Sequence, residues 1–175
     1  LTVQQQIPWN ASVSVAYVGN TSRKLVNTLD AKQAIFGPGA TSGNVNNRRP
    51  LMPGIYGQIS KFESSSNAHY DSLQVTVDRR FAQNFSVLLN YTFGKSIDEV
   101  SDDNTNPVDV SLADSTNRRL DRAVSAGDIR HVMAFSYVWD LPRLTRWNPV
   151  LRSVIGGWQL NGIVTARSGS PVGVV

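Results

Sequence analysis

The 175 residues include no cysteine and carry a formal net charge of +4, from 17 basic and 13 acidic side chains. The lack of cysteine excludes a disulfide scaffold and a thiolate metal site. The basic residues are scattered rather than gathered into a stripe, which argues against a nucleic-acid partner. Apolar runs fall far short of the roughly twenty residues of a transmembrane helix. Because Leu1 starts neither a signal peptide nor a chain with an initiator methionine, we expect a piece of a longer protein.

The first predicted element is a hairpin. Apolar and polar residues alternate over residues 1–7 and again over 13–17, and a tight turn is predicted at 8–10. The polar segment near 19–54 has few periodic apolar residues and is predicted as a long loop. A weaker strand is predicted at 55–63.

A long hairpin at residues 70–98 has the clearest pattern in the sequence, because each arm is apolar on one face and polar on the other. Arms of about ten residues joined by a very short turn are typical of strands that cross an outer membrane. The apolar set, predicted to face lipid, is Leu73, Val75, Val77, Phe81, Phe85, Val87, Leu89, Tyr91 and Phe93. The polar set, predicted to face a wet lumen together with residues of the last strand, is Gln74, Thr76, Asp78, Arg80, Asn90, Thr92, Gln159, Asn161, Thr165 and Arg167.

A second long polar loop is predicted near 99–127, followed by strands at 130–141 and 157–168. The sequence therefore predicts an all-β fold of about seven strands, an antiparallel up-and-down meander that is one partial domain (1–175) of a large transmembrane β-barrel. Short and long connections alternate, as they do in barrels with short periplasmic turns and long extracellular loops. Two loops on the same side of a membrane are separated by an even number of crossings, but three strands are predicted between the loops at 19–54 and 99–127. Either the strand at 55–63 does not cross, or residues 24–33 hold another strand.

Aromatic residues and one arginine bear on the membrane interpretation. Tryptophan favours the membrane–water boundary, and all four tryptophans lie beside predicted short turns, where they would form an interface girdle: Trp9, Trp139, Trp147 and Trp158. A soluble core would also account for them. Alternation places Arg79 on the lipid face, near the Phe81 end of its strand. Near this boundary an arginine destabilises a barrel by about 0–1 kcal/mol, compared with about 2–4 kcal/mol at the midplane, because its side chain can reach water.

No catalytic constellation is evident, so no enzymatic activity and no cofactor are predicted. His69 and His131 are the only histidines, and each lies at a strand boundary. The acidic cluster of Asp98, Glu99, Asp102 and Asp103 offers oxygen ligands to a cation such as Ca²⁺, but it lacks the glycine and terminal glutamate of an EF-hand loop. A solvated loop is the default interpretation of this cluster.

Several runs in the order found here resemble the barrel of TonB-dependent outer-membrane receptors, most closely the Oar-like group with a carboxypeptidase-regulatory-like domain. These runs are AYVGN at 16–20, YDSLQV at 70–75, NYTFGKSID at 90–98, LDR at 120–122, GDIRH at 127–131 and GGWQLNG at 156–162. The resemblance implies a barrel of about 22 strands in the outer membrane of a Gram-negative bacterium. It also implies several partners: membrane lipid, the rest of the barrel with its plug domain, the TonB complex through an N-terminal segment not present here, and an extracellular ligand of unknown identity.

The predicted function is solute uptake or surface binding through the extracellular loops. A passive porin or structural barrel remains an alternative. A soluble β-sandwich such as a carbohydrate-binding module is the alternative from another class, because its strands would alternate in the same way.

Overall fold

The computed structural model describes residues 1–55, 57–82, 84–100, 113–141 and 157–172. These residues form seven strands: β1 (Thr2–Ile7), β2 (Ala11–Asp30), β3 (Ser60–Ala82), β4 (Phe85–Asp98), β5 (Ala123–Val124), β6 (His131–Asp140) and β7 (Gln159–Arg167). One sheet holds them in the order β1-β2-β3-β4-β6-β7, and the short β5 pairs with the end of β4. Three 3-10 turns, at Ser42–Asn44, Asn46–Arg48 and Arg118–Leu120, lie between the strands. The predicted all-β antiparallel meander is confirmed.

The registers bring residues of the same character side by side. Val3 lies opposite Val15 in the β1–β2 pair, and Leu89 lies opposite Phe135 in the β4–β6 pair. Phe135 in turn lies opposite Val164 in the β6–β7 pair. Because directly opposed residues in a ladder share a face, the alternation within each strand becomes one apolar face and one polar face of the sheet.

The two longest strands correct the predicted boundaries. The segment expected to be a loop from residue 19 is strand as far as Asp30, and the backbone N–H of Ala31 donates to the carbonyl of Ile59 at 2.9 Å. β3 begins at Ser60 and continues without a break to Ala82, so the prediction of a separate strand at 55–63 is wrong. Both stretches are mostly polar, and their few apolar residues do not alternate regularly, so the pattern of a strand is not evident there. Because β3 is one strand rather than two, the number of crossings between the two long connections is even and none is missing.

The chain divides into two compact units. The sheet unit comprises Leu1–Gly19, Asp71–Lys95 and Ile129–Gly169. The loop unit comprises Asn20–Tyr70 and Ser96–Asp128, together with the last residues of the chain. Ala11, 8% exposed, is the one buried hydrophobic side chain in the part of the chain that the structure describes. That part therefore has no apolar core between two layers.

The described residues include 3-10 turns but no α-helix, and Arg118–Leu120 is followed by β5. Among the described residues, no helix is both long enough and apolar enough to span a membrane.

Candidate lipid-facing surface

The sheet unit gathers the apolar side chains of six strands on one face. The strand registers align β1 with β2 and β4 with β6 and β7, and two side-chain contacts place β3 among them. The Tyr17 hydroxyl donates to Asp71 Oδ1 at 2.5 Å, and Thr76 Oγ1 donates to Asn90 Oδ1 at 3.0 Å. The shared face includes Val3, Val13, Val15, Tyr17, Leu73, Val75, Val77, Arg79, Phe81, Phe85, Val87, Leu89, Tyr91, Phe93, Met133, Phe135, Tyr137, Trp139, Leu160, Gly162, Val164 and Ala166.

The length of this apolar face fits a membrane. On β4 the apolar positions run from Phe85 to Phe93, which is roughly 26 Å along the strand at about 3.3 Å per residue. A strand crossing a bilayer uses about nine to eleven residues at a tilt, and the apolar band of an outer-membrane barrel is about 25 Å tall. The face is wide enough for lipid tails to cover but has no covering layer among the described residues.

Aromatic side chains mark the end of the face nearest the short turns. Phe85 lies opposite Trp139, which lies opposite Leu160. Trp9 occupies the β1–β2 turn with φ of 67°, and Trp158 immediately precedes β7. These three tryptophans are exposed by 76% (Trp9), 43% (Trp139) and 63% (Trp158). Trp147, the fourth residue of the predicted girdle, lies outside the described residues.

The other end of the face carries aromatic rings with polar partners. The Tyr91 hydroxyl and His131 Nδ1 are hydrogen-bonded at 2.8 Å, and the His131 ring lies 5.1 Å from that of Phe93. The Tyr17 ring lies against the backbone of Gly19, where a Cβ would be 3.0 Å from the hydroxyl oxygen. An amphipathic ring with an apolar body and a wet polar tip suits a membrane–water boundary.

A tyrosine also fills the space above a glycine within the face. Tyr137 lies opposite Gly162, and a Cβ at Gly162 would meet the ring and hydroxyl of Tyr137 at 3.0 to 3.1 Å. The ring of Phe135 stacks beside it, with centroids 5.7 Å apart. The aromatic ring therefore covers a strand position that has no side chain of its own, a device that helps to fix register.

The opposite face of the sheet unit is polar. All ten residues of the predicted lumen-facing set fall on this one face through the β4–β6–β7 registers and the Thr76–Asn90 bond. Gln159 Nε2 donates to Asp140 Oδ1 at 2.8 Å on the same face. Three apolar residues, Leu88, Val132 and Ile163, also lie there and are exposed. The sheet is thus two-faced, which is the arrangement that a wall between lipid and water requires.

The sequence matches one family model, described as an outer membrane beta barrel domain, over residues 1–175. The chain belongs to this outer membrane beta barrel family. Comparison with curated proteins and with solved structures gave no match. Membership places the barrel segment in the bacterial outer membrane, in association with its lipid, and rejects the soluble β-sandwich.

Family membership gives the two faces of the barrel segment their expected environments. In outer-membrane barrels the apolar band faces outward to lipid and the alternate residues face the lumen. All nine residues predicted to face lipid lie on the apolar face of the sheet unit. Which residues contact lipid remains a prediction, and the substitutions described below test it.

The loop unit of the barrel segment is held together by polar side chains. Arg49 forms an ion pair with Asp30 and donates from Nη1 to the carbonyl of Lys32 at 2.7 Å. The Asp30 carboxylate also accepts the backbone N–H of Lys32 at 2.9 Å and of Ile59 at 3.3 Å. Burial acts to raise the pKa of Asp30, but the Arg49 guanidinium and these two N–H groups together hold it below its ordinary value. These bonds tie the end of β2 to the connection that follows it.

Further hydrogen bonds within the loop unit join residues that are far apart in the sequence. Gln33 Nε2 donates to the carbonyl of Ala113 at 3.0 Å, and Arg118 Nη1 donates to the carbonyl of Ser65 at 2.6 Å. The N–H of Ser96 donates to the buried carboxylate of Asp128 at 2.6 Å. Sequence reasoning missed these residues, because single polar residues in an aperiodic stretch carry no local signal of their partners.

A polar cavity of about 340 Å³ lies within the loop unit. Its lining combines two arginines with a histidine, an amide and two carboxylates: Arg23, Arg122, His69, Asn67, Asp98 and Glu99, with Ile97 beside them. His69 Nδ1 lies 3.2 Å from Thr21 Oγ1, and Glu99 accepts the backbone N–H of Asn67 at 3.1 Å. The cavity can hold a small polar ligand through charged hydrogen bonds.

The candidate metal ligands are only partly described. Asp102 and Asp103 lie outside the described residues, and Glu99 is hydrogen-bonded to Asn67. In the described ranges, no group of three His, Asp or Glu side chains has the arrangement of a metal site. His69 and His131 each have a separate partner, Thr21 and Tyr91 respectively.

Proposed function

We propose that this barrel segment is part of the wall of a TonB-dependent receptor of the Oar-like group, which binds a solute at its outer surface and admits it with energy from TonB. Two observations support the proposal: the chain belongs to the outer membrane beta barrel family, and several runs between residues 16 and 162 resemble the Oar-like group in the same order. It assigns the segment transport or surface binding and no catalytic reaction.

The observation that carries the proposal is the length of the second and third strands. β2 has 20 residues and β3 has 23, whereas about ten residues cross a bilayer. The remainder of each strand belongs to the loop unit, whose connections are joined by the Arg49–Asp30 ion pair and by the bonds of Gln33. A barrel that serves only as a pore needs no such ordered extension, whereas a receptor needs a fixed surface to bind its ligand.

The cavity lined by Arg23, His69 and Arg122 is the best candidate contact for that ligand. Guanidinium groups bind carboxylates and phosphates in a bidentate manner, and the acidic side chains nearby can accept hydrogen bonds from hydroxyl groups. A polar solute that carries both an anionic group and hydroxyl groups therefore fits the cavity best.

The decisive experiment uses the full-length protein from its own gene. We expect the purified receptor to retain the periplasmic domain of TonB on a column, and a version lacking its N-terminal TonB-contacting segment to lose that binding. In planar bilayers the intact receptor should show no steady conductance, since a plug closes barrels of this size. Stable open channels without TonB binding would instead support the passive porin.

A further inference from the structure

Among the described residues, Arg79 is the one charged side chain at the short-turn end of the apolar face, since Asp71 and Lys95 lie on the same face at its other end. It lies on β3 two residues from Phe81, which is about 7 Å along the strand. Its guanidinium carbon lies 5.3 Å from the centroid of the Phe85 ring. The charge is therefore held among aromatic side chains at the short-turn end of the face.

No acidic side chain neutralises Arg79 within the described part of the chain. The two ion pairs described there are Arg49–Asp30 and Lys61–Glu63. The Nε of Arg79 is covered by protein and has no hydrogen-bond partner. A guanidinium has five N–H donors in a planar fork, so the described residues leave most of the hydrogen-bonding capacity of Arg79 unused.

The neighbouring arginine provides a contrast. Arg80 points to the polar face, where it lines a pocket with Asp78, Gln4 and Gln6. Arg80 can therefore bind water or an acidic side chain on the lumen side. Arg79 lies on the opposite face, so its hydrogen-bond acceptor has to come from the membrane side.

We propose that Arg79 binds the phosphate of a phospholipid headgroup in the leaflet at the short-turn side of the barrel. A phosphodiester carries the negative charge that no described side chain supplies to Arg79, and its two non-bridging oxygens match the guanidinium fork. The aliphatic stem of the arginine lies along the apolar face, and the Phe85 ring holds the fork by a cation–π contact. This site depends on barrel membership and not on the receptor proposal, so a passive barrel would have it too.

The test is native mass spectrometry of the full-length barrel in detergent, titrated with phosphatidylglycerol. We expect Arg79→Gln to weaken the one-to-one lipid complex about 3- to 10-fold relative to wild type. Arg79→Lys should fall between the two, because lysine keeps the charge but lacks the fork. Arg80→Gln is the matched control, since it removes the same charge from the adjacent residue on the opposite face, and it should bind as wild type does.

Two further arms identify the source of the phosphate and guard against misfolded variants. Diacylglycerol with the same acyl chains should bind the wild-type barrel at least threefold more weakly than phosphatidylglycerol. Inorganic phosphate at matched concentration should not displace the lipid, because it lacks the chains that hold the headgroup at this depth. Equal binding of the two lipids to wild type would overturn the proposal without any variant. Equal loss in Arg79→Gln and Arg80→Gln would also overturn it, because the effect would then be one of net charge.

Discussion

The sheet unit exposes its apolar side chains, whereas the loop unit buries polar ones. Large residues such as Phe81, Trp139 and Leu160 are exposed in the sheet unit. The most buried side chains of the loop unit are those of Asn27, Thr28, Lys32 and Ser66. We expect lipid tails to complete the packing of the sheet unit, whereas bonds such as the Arg49–Asp30 ion pair connect residues of the loop unit directly.

The largest expected effect is in the loop unit, from Asp30→Ala. The Asp30 and Arg49 side chains are 17% and 9% exposed, so removing the carboxylate leaves a nearly buried guanidinium without its charge partner. Loss of one member of a buried pair costs about 3–5 kcal/mol. We expect the amides of Lys32 and Ile59, which donate to this carboxylate, to exchange hydrogen much faster in hydrogen-exchange mass spectrometry.

Glu63→Gln is the control for that substitution. Glu63 also pairs with a cation, Lys61, but their side chains are 35% and 57% exposed. An exposed pair contributes about 0–1 kcal/mol, so exchange in the loop unit should change little. Similar protection loss in both variants would show that the Asp30–Arg49 pair is not what orders this unit.

The next effect separates the two faces of the sheet unit. Leu89 is midway between Phe85 and Phe93 on the apolar face, and Leu88 is its neighbour on the polar face. Leu89→Arg should destabilise the barrel in lipid vesicles by about 2–4 kcal/mol, because it places a charge near the bilayer midplane. Leu88→Arg should change stability by less than about 1 kcal/mol, since the polar face meets water. Guanidinium titration of the full-length protein measures both, and equal losses would refute the facing assignment.

These two regions also differ in how far the sequence could predict them. The hairpin at 70–98 was predicted from alternation alone, because one of its faces is apolar and the contrast appears directly in the residues. The extension of β2 to Asp30 and the start of β3 at Ser60 could not be predicted in this way, because apolar and polar residues do not alternate regularly there. The ion pair of Asp30 with Arg49 depends on a chain reversal between residues 19 apart, which leaves no local pattern.

A smaller effect tests how register is fixed within the apolar face. In Gly162→Ala the new Cβ would meet the Tyr137 ring at 3.0 to 3.1 Å, so the ring must move. We expect a loss of about 1 kcal/mol, at the low end of overpacking, because a side chain rather than backbone gives way. In a Tyr137→Leu background the same substitution should cost much less. An unchanged cost in that background would mean that the glycine is needed for its backbone and not for the ring.

The smallest effect is the pH dependence of the loop unit. The folded pKa of Asp30 lies below its ordinary value of 3.8, so folding favours the charged carboxylate. The stabilisation is therefore fully present above the unfolded pKa and is lost as pH falls through the lower, folded value. Hydrogen exchange in the loop unit should quicken as the solution is acidified below about pH 4, after correction for the intrinsic exchange rate.

Asp30→Asn isolates the contribution of this one carboxylate to the pH dependence. Hydrogen bonds from Lys61 and Thr116 also lower the pKa of Glu63 and Asp114, and both groups remain titratable in the variant. The variant should therefore keep part of the acid response while losing the part confined to Lys32, Arg49 and Ile59, which contact Asp30. The sheet unit should show no matching change at Leu89 or Phe135, because these two apolar residues lie directly opposite each other. If acid loosened both units equally, lipid packing and polar bonding would not be the separate sources of order that the comparison assigns to them.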